Sequence, residues 1–535
     1  MRTHSRHVLA GGACFLALLV AGCGTTVPLS QQGQSQTGSD GSFGSTSTGG
    51  DSSGTTAGSG SGTSGSGATG STGLGTSGSS GSSATSGTGA SSSTGSSGTT
   101  SGSGATSGSG GGALATKGFG WDAKNVYIGV PTADDFNNLT KNAGANFDNG
   151  DVHADFDSIA ADINRHGGIL GRKVVIAYHD DSATRYQSNA AEVAQETCAY
   201  FTTDRPVVAV INGFPQLDAQ SNLHTCLEKK SVTLLSQTNT VYSNKDYARL
   251  GPHLISGASV STDVLVPTFV AALKRQGFFS GWNTTLGAPA NTPAKVGLLL
   301  PDDSSGRYVG TLFKAQLKAA GQQAPEEYYY PPVGSGGQAS SEVLNFKSAG
   351  VTHVLDLPPV ELEIALFQKQ AETQHYRPRY GYTGFDLPLT VEENPAVAPV
   401  AQQVGSLGIG WQPLNDVNAS KDIGEMPGGK RCFAAILAGG QKFSTSQRRA
   451  KFIAAIACDS IYLLQEAFVQ AKGFSGDQIL NALPVVGPRF KSASTFASVL
   501  TARDHGLPGF YRDSHYDTAC SCFAYSNAVN RRMAA

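Results

Sequence analysis

Short apolar runs alternate along the chain with stretches of helical period. Val126-Tyr127-Ile128-Gly129-Val130 is an apolar run closed by Pro131. After a polar loop over Pro131–Asp151, Phe156, Ile159, Ala160 and Ile163 recur at i, i+3, i+4 and i+7. That spacing predicts a helix over Val152–His166 with one apolar face. Gly167 and Gly168 follow the last periodic residue, where a left-handed helix stop places glycine, and Gly171 permits a second sharp turn. Val174-Val175-Ile176 then predicts a β-branched strand over Lys173–Tyr178, ending at Asp180-Asp181. Strand, loop, helix, turn and strand make a βαβ unit, which requires a parallel sheet.

The alternation continues. Helices are predicted near Ser188–Phe201 and Gln216–Lys229, with strands at Val207–Ile211 and Val232–Leu235. Gly251–Gly257 reads as a linker, after which a second series begins. It has helices at Val264–Gln276, Tyr308–Ala320, Glu342–Ser348 and Glu361–Glu372, and strands at Lys295–Leu300, Glu327–Tyr330, His353–Leu357 and Arg379–Thr383. An irregular insertion falls at Ser280–Pro293, and a long amphipathic helix runs through Ile453, Ile456, Ser460, Leu464, Ala467 and Ala471. Two successive βα series predict an α/β fold of two parallel sheets with right-handed crossovers.

Composition changes the picture at the N-terminus. Of 535 residues, 68 are glycine, concentrated in the first fifth. Arg2 and Arg6 precede an apolar core, Val8–Val20, which is too short to span a bilayer well. It runs into Leu19-Val20-Ala21-Gly22-Cys23, which resembles a bacterial lipobox. That resemblance implies a signal peptide over 1–22 and lipid on Cys23, with the protein anchored and not spanning. Residues 23–116 are then a Gly/Ser/Thr-rich disordered tether, since so few apolar side chains cannot offset ordering entropy. Its root-mean-square reach is roughly 50 Å. Lys+Arg 38 against Asp+Glu 40 is near neutral, which gives a nucleic-acid partner no electrostatic support.

Beyond Cys14 and Cys23 there are six cysteines, an even count that suggests disulfides in an exported protein. Cys198–Cys226 is the first expected pair because both lie on neighbouring predicted helices, and Cys432–Cys458 is the second. Cys520 and Cys522, two apart on a predicted strand, would point to one face, and a bond between them would be strained. Any other partner for them would rearrange the set.

Open α/β sheets bind ligands beyond the carboxyl ends of their strands. Those ends carry Asp134-Asp135, Asn212-Gly213-Phe214, Ser236-Gln237-Thr238, Asp302-Asp303-Ser304, Pro358 and Thr383-Gly384-Phe385-Asp386. Two such edges facing each other across a cleft would form a ligand clamp. The adjacent acids Asp134-Asp135, Asp180-Asp181 and Asp302-Asp303 are expected mainly to cap turns and helices. Asp504, His505, Asp513, His515, Asp517, Cys520 and Cys522 lack the spacing of a zinc motif, so no metal and no cofactor are expected. Phe214, Tyr308, Phe385 and Trp411 could stack on a ligand, but packing within a lobe is the leading expectation for each. No phosphate-cradling loop, His-Glu-x-x-His motif or Ser/His/Asp set stands out, and an enzyme is not expected.

Ile163-Asn164-x-x-Gly167-Gly168-Ile169-x-Gly171-Arg172-Lys173, followed by a strand and Asp180-Asp181, resembles the signature of extracytoplasmic solute-binding proteins of the branched-chain amino acid class. These are type I periplasmic binding proteins. The resemblance extends from about Asn125 to about Tyr525 and implies two Rossmann-like lobes joined by three crossovers. It implies lobe one at 121–250 plus 387–483, and lobe two at 251–386 plus 484–535. An early disulfide in relatives favours Cys198–Cys226. The implied ligand set is Asp135, Asn212, Gly213, Phe214, Ser236, Gln237, Thr238, Asp303, Pro358, Thr383 and Phe385. The ligand would be an amino acid or related polar solute, held by lobe closure and delivered by a monomer to an ABC-type permease, outside the cytoplasmic membrane. Relatives usually carry Tyr where this chain has Ser305, and those that bind amino acids often carry an acid near Thr383-Gly384-Phe385. A sensor on the same fold is the first alternative, and an envelope enzyme or scaffold without solute binding the second.

Overall fold

The computed structural model describes residues 116–533, apart from 143, 146, 238–241, 332–336, 358–361, 387, 417–425, 445–446 and 501–504. The expected signal peptide, Cys23 and nearly all of the tether lie outside the described residues, as do Thr238, Pro358 and Asp504.

Five parallel strands make the first sheet: β1 (Asn125–Thr132), β2 (Lys173–Asp180), β3 (Ala209–Ile211), β4 (Thr233–Ser236) and β5 (Leu254–Ser256), in the order β2-β1-β3-β4-β5. Strand β5 corrects the reading of Gly251–Gly257 as a linker. Helices α1 (Phe136–Asn142), α2 (Val152–Arg165), α3 (Ala183–Ala199), α4 (Ser221–Glu228) and α5 (Asn244–Leu250) are threaded between these strands. Helix α1 occupies part of the stretch expected as loop. Helix α2 forms where its period predicts. Asp151 caps it by accepting from Ala154 N at 2.9 Å, and Phe156, Ile159, Ala160 and Ile163 are buried. The stop is glycine-dependent: Gly168 has φ +73°, and a Cβ there would sit 2.0 Å from Arg172 O.

The second sheet holds β8 (Val296–Pro301), β9 (Glu326–Tyr330), β10 (His353–Asp356), β11 (Arg379–Tyr382), β12 (Leu407–Gly410), β13 (Phe510–Asp517) and β14 (Cys522–Tyr525), in the order β14-β13-β12-β11-β10-β8-β9. The hairpin β6 (Trp282–Asn283) and β7 (Ala288–Pro289) sits in the insertion, and β15 (Arg531–Arg532) pairs with β13. This sheet is mixed and not purely parallel, because β13 runs antiparallel to β12 and β14. Strand β12 is bonded to β11, so the division expected at 386/387 falls inside the second lobe and not at its edge.

The remaining helices are α6 (Thr262–Arg275), α7 (Ser304–Ala319), α8 (Ala339–Ser348), α9 (Leu362–Thr373), α10 (Pro388–Glu393), α11 (Val400–Gln403), α12 (Gly429–Ala438), α13 (Arg448–Ala471) and α14 (Gly476–Val486). Each sheet has a hydrophobic cluster on both faces: α2, α13 and α14 against α3 to α5 on the first, α6 and α7 against α8 and α9 on the second. Helix α13 is long and apolar enough to cross a membrane, but 83% of its most apolar window is buried inside the fold. Both expected disulfides form, Cys198–Cys226 between α3 and α4 and Cys432–Cys458 between α12 and α13. Cys520 lies in the turn before β14 and not on a strand, and that turn brings it into a bond with Cys522.

The chain passes between the lobes three times, after β5, after β12 and after α14. These crossings are tied to one another. Trp411 Nε1 donates to Ala258 O at 2.7 Å, Phe496 N donates to Trp411 O at 3.1 Å, and Leu507 N donates to Ser256 O at 2.9 Å. Buried Asp459 of α13 holds the third crossing, accepting from Ser492 Oγ (2.6 Å), Ala493 N (2.5 Å), Ser494 N (3.0 Å) and Ser494 Oγ (2.6 Å).

Asp155, in the first turn of α2, is buried with no hydrogen-bond partner on either oxygen. Burial, and then the neighbouring Asp151, push its pKa up to about 8. Between the ordinary carboxylate range and pH 8 the folded chain keeps this proton and the unfolded chain loses it. Stability therefore falls as pH rises through that window. Asp155→Asn is expected to remove this dependence and to stabilise the protein at pH 8 by ~1–3 kcal/mol. Urea unfolding at pH 5 and pH 8 checks it, and identical pH slopes for the variant and the parent would refute it.

Candidate functional site

The carboxyl edge of the first sheet opens into a cavity of about 370 Å³. Thr132, Asp134, Asn137, Asn149, His153 and Gly213 are among its lining residues. Strand β1 ends at its floor, and the first turn of α2 forms one wall. The segment between α1 and α2 closes another side and reaches the second lobe. Ala145 and Phe147 are buried within the cluster that contains Val391, Val397 and Tyr382, and the Arg449 guanidinium lies 5.0 Å from the Phe147 ring centroid. Arg449 also donates to Asn149 Oδ1 at 2.8 Å and to Thr390 Oγ1 at 2.7 Å, linking this strap to α10.

A second cavity, of about 70 Å³, lies between the lobes. Asp218, Tyr242 and Asp246 line it from the first lobe, and Pro301, Asp303 and Ser305 from the second. Here the lobes touch: Ser305 Oγ donates to Asp246 Oδ2 at 3.2 Å, and the Lys245 ammonium lies 4.8 Å from the Tyr308 ring centroid. Ser305 is thus part of the contact between the lobes.

The expected site residues divide into groups. Asn212 and Ser236 converge on Asp218, donating to its two carboxylate oxygens at 2.7 and 2.6 Å. Tyr242 Oη donates to Asp218 O at 2.8 Å. Burial raises Asp218 to about 7, against the hydrogen bonds from Ser236 and Asn212. Gly213 and Phe214 line the larger cavity, and a Cβ on Gly213 would lie 2.7 Å from Pro131 O. The Phe214 ring is buried edge-on to Tyr186. Gln237 is buried and turned towards Ser460 Oγ, 3.4 Å away. Asp303 caps α7 by accepting from Gly306 N at 2.7 Å, and burial raises its pKa. Thr383 donates to Asp386 at 3.0 Å, while Phe385 and Trp411 are core residues of the second lobe.

Asp135 does not line the cavity. It accepts from Ser182 Oγ (2.9 Å), Ala183 N (2.7 Å) and Thr184 N (3.1 Å) at the start of α3. Burial opposes its ionisation, but these bonds together hold its pKa below the usual carboxylate value. The adjacent acids therefore split. Asp135 caps α3 and partly buried Asp181 accepts from Thr197 Oγ1, while Asp134 and Asp180 turn towards His153. In a strand, neighbouring side chains point to opposite faces, so Asp180 at the end of β2 and Asp181 after it diverge. That alternation was a usable signal for Asp180, whereas Asp134 and Asp135 lie in the turn after β1, where it does not apply. Nothing local marked His153, Asp218 or Asp246.

A family model described as periplasmic binding protein matches residues 149–509. Among solved structures, a branched-chain amino acid ABC transporter protein from Thermus thermophilus with bound valine is similar at 14% identity and TM-score 0.55, over 77% of this chain and 98% of that one. A solute binding protein of an ABC transporter from Rhodopseudomonas palustris HaA2, in complex with p-hydroxybenzoic acid, has the same values. A leucine binding protein from Thermotoga maritima aligns at 14% identity and TM-score 0.52, over 75% of this chain and 98% of that one. No curated protein matches the sequence.

Proposed function

The chain belongs to the periplasmic binding protein family, and from that premise we propose that it captures a small polar or amphipathic solute by lobe closure and hands it to an ABC-type importer. The observation that carries this reading is the polar cavity of about 370 Å³ at the carboxyl edge of the first sheet. Its size suits an amino acid or a hydroxybenzoate, the ligands of the similar structures. Its walls are Asn, Asp, Thr and His side chains with Phe136 and Phe214, a mixture that suits a polar head on a short apolar body. In this reading Cys23 carries the lipid, the tether gives the body reach from the membrane, and the protein works as a monomer. The role of Asn212 and Ser236 is to hold the cavity floor through Asp218, and that of Asp303 and Ser305 is to meet the first lobe on closure.

A thermal-shift screen across amino acids, amides, hydroxybenzoates, short acids and sugars tests the proposal. A true solute at 100 times its Kd stabilises by about 2.7 kcal/mol. Small-angle scattering should then show a smaller radius of gyration with that solute than without it. No stabilisation across the whole panel would overturn the importer reading.

A further inference from the structure

The wall of the larger cavity carries a set of donor atoms that converge on one point. Asp134 just past β1, Asp180 at the end of β2 and His153 in α2 each present one ligating atom, all within 4.8 Å of one another. His153 Nε2 lies 3.1 Å from Asp180 Oδ1 and 3.6 Å from Asp134 Oδ1. Thr132 Oγ1 is 3.1 Å from the same nitrogen and also donates to Asp180. A ring nitrogen carries at most one proton, so it can donate to only one of the three oxygens around it. Neither carboxylate forms an ion pair with a lysine or arginine among the described residues. The imidazole is held in place, stacked on Tyr178 with centroids 4.1 Å apart, while Tyr178 Oη donates to His153 O at 2.9 Å.

We propose that Asp134, His153 and Asp180 bind a divalent transition-metal cation of the zinc type. A cation about 2.1 Å from each donor would set neighbouring donors about 3.0 Å apart in an octahedral shell and about 3.4 Å apart in a tetrahedral one. The distances at His153 Nε2 are close to those edges. One imidazole nitrogen with two carboxylates favours zinc, cobalt or nickel over calcium or magnesium, which prefer oxygen donors alone. Asp134 and His153 line the cavity, so the remaining coordination positions face the space that the solute is proposed to fill. The sequence led to the opposite expectation, because the three residues lie on three separate segments with no motif spacing. The cation site follows from this geometry alone and stands whether or not a solute is found.

The test is isothermal titration of the EDTA-treated, desalted full chain with zinc chloride and no solute present. The expected result is one high-affinity equivalent that weakens at least tenfold in His153→Ala and again in Asp134→Asn. Asp134 is an exposed side chain, so its variant keeps the fold, which the metal-free melting curve verifies. Cobalt loading of the parent should give a visible d–d band that is lost in both variants. Three results overturn the proposal: no binding, binding unchanged in both variants, or magnesium and calcium binding as tightly as zinc.

Discussion

Replacing Asp218 with alanine is expected to abolish solute binding and to destabilise the protein by roughly 3 kcal/mol. The carboxylate is 1% exposed and joins two loops that are far apart in sequence. Asn212 after β3 and Ser236 at the end of β4 each give it a hydrogen bond. Alanine leaves both donors buried without an acceptor, each at a cost of ~1–3 kcal/mol. It also frees the loops that carry Gly213 and Phe214, which form part of the cavity. Asp218→Asn keeps one acceptor oxygen and should fall between the parent and the alanine variant. Urea midpoints and solute titration measure the two effects. An alanine variant with the parent's midpoint would show that the loops hold their positions by packing alone.

The second large effect is at the third crossing between the lobes. Asp459→Ala is expected to cost ~3–5 kcal/mol, because four donors from Ser492, Ala493 and Ser494 lose one buried acceptor. Burial raises the Asp459 pKa to about 6, against hydrogen bonds from Ala493, Ser492 and Ser494. Stability from this group alone therefore declines as pH rises from the ordinary carboxylate range to about 6 and is level above it. Asp459→Asn should retain part of the anchoring with no such pH dependence. Hydrogen exchange across 487–509 is the sensitive readout, since the loss should be concentrated in that crossing. Unchanged protection there in Asp459→Ala would refute the anchoring role.

Where the sequence was legible, local chemistry was decisive. The turn Gly167–Gly171 was readable because glycine supplies three of its four positive-φ positions, Leu170 being the fourth. Helix α2 was readable because its buried positions repeat with the helical period. Strand β5 was hidden because three residues, Leu254-Ile255-Ser256, are too few to display any period. Strand β12 reads Leu-Gly-Ile-Gly, and its glycines suggest a turn although Gly408 is needed where a Cβ would lie 2.1 Å from Tyr382 O. Strand β13 buries Asp513 and Ser514, so polarity masked its place in the sheet. Asp513 is tolerated there through its ion pairs with Arg275 and Arg531.

The site was less legible than the fold because its organising groups act over long sequence distances. The strand-end rule singled out Asn212, Gly213, Phe214 and Ser236, of which Gly213 and Phe214 line the larger cavity, yet it could not show that Asn212 and Ser236 bond to Asp218. It selected Asp135 over Asp134, and only the structure shows which of the two faces His153. The family resemblance located the cleft and said nothing of the donors on its wall.

The strap that seats Ala145 and Phe147 in the second lobe bears on how any affinity for this protein should be understood. If the lobes close as proposed, a clamp that fastens partly on its own side chains would have a resting population of shut molecules set by its sequence. The observed dissociation constant then reports two equilibria, one for the solute's contacts and one for the clasp. On that proposed closure, residues 145 and 147 would shift affinity for every solute by the same factor, leaving the ranking among solutes to the cavity wall. Retention and selectivity become separately adjustable properties, controlled from different parts of one chain.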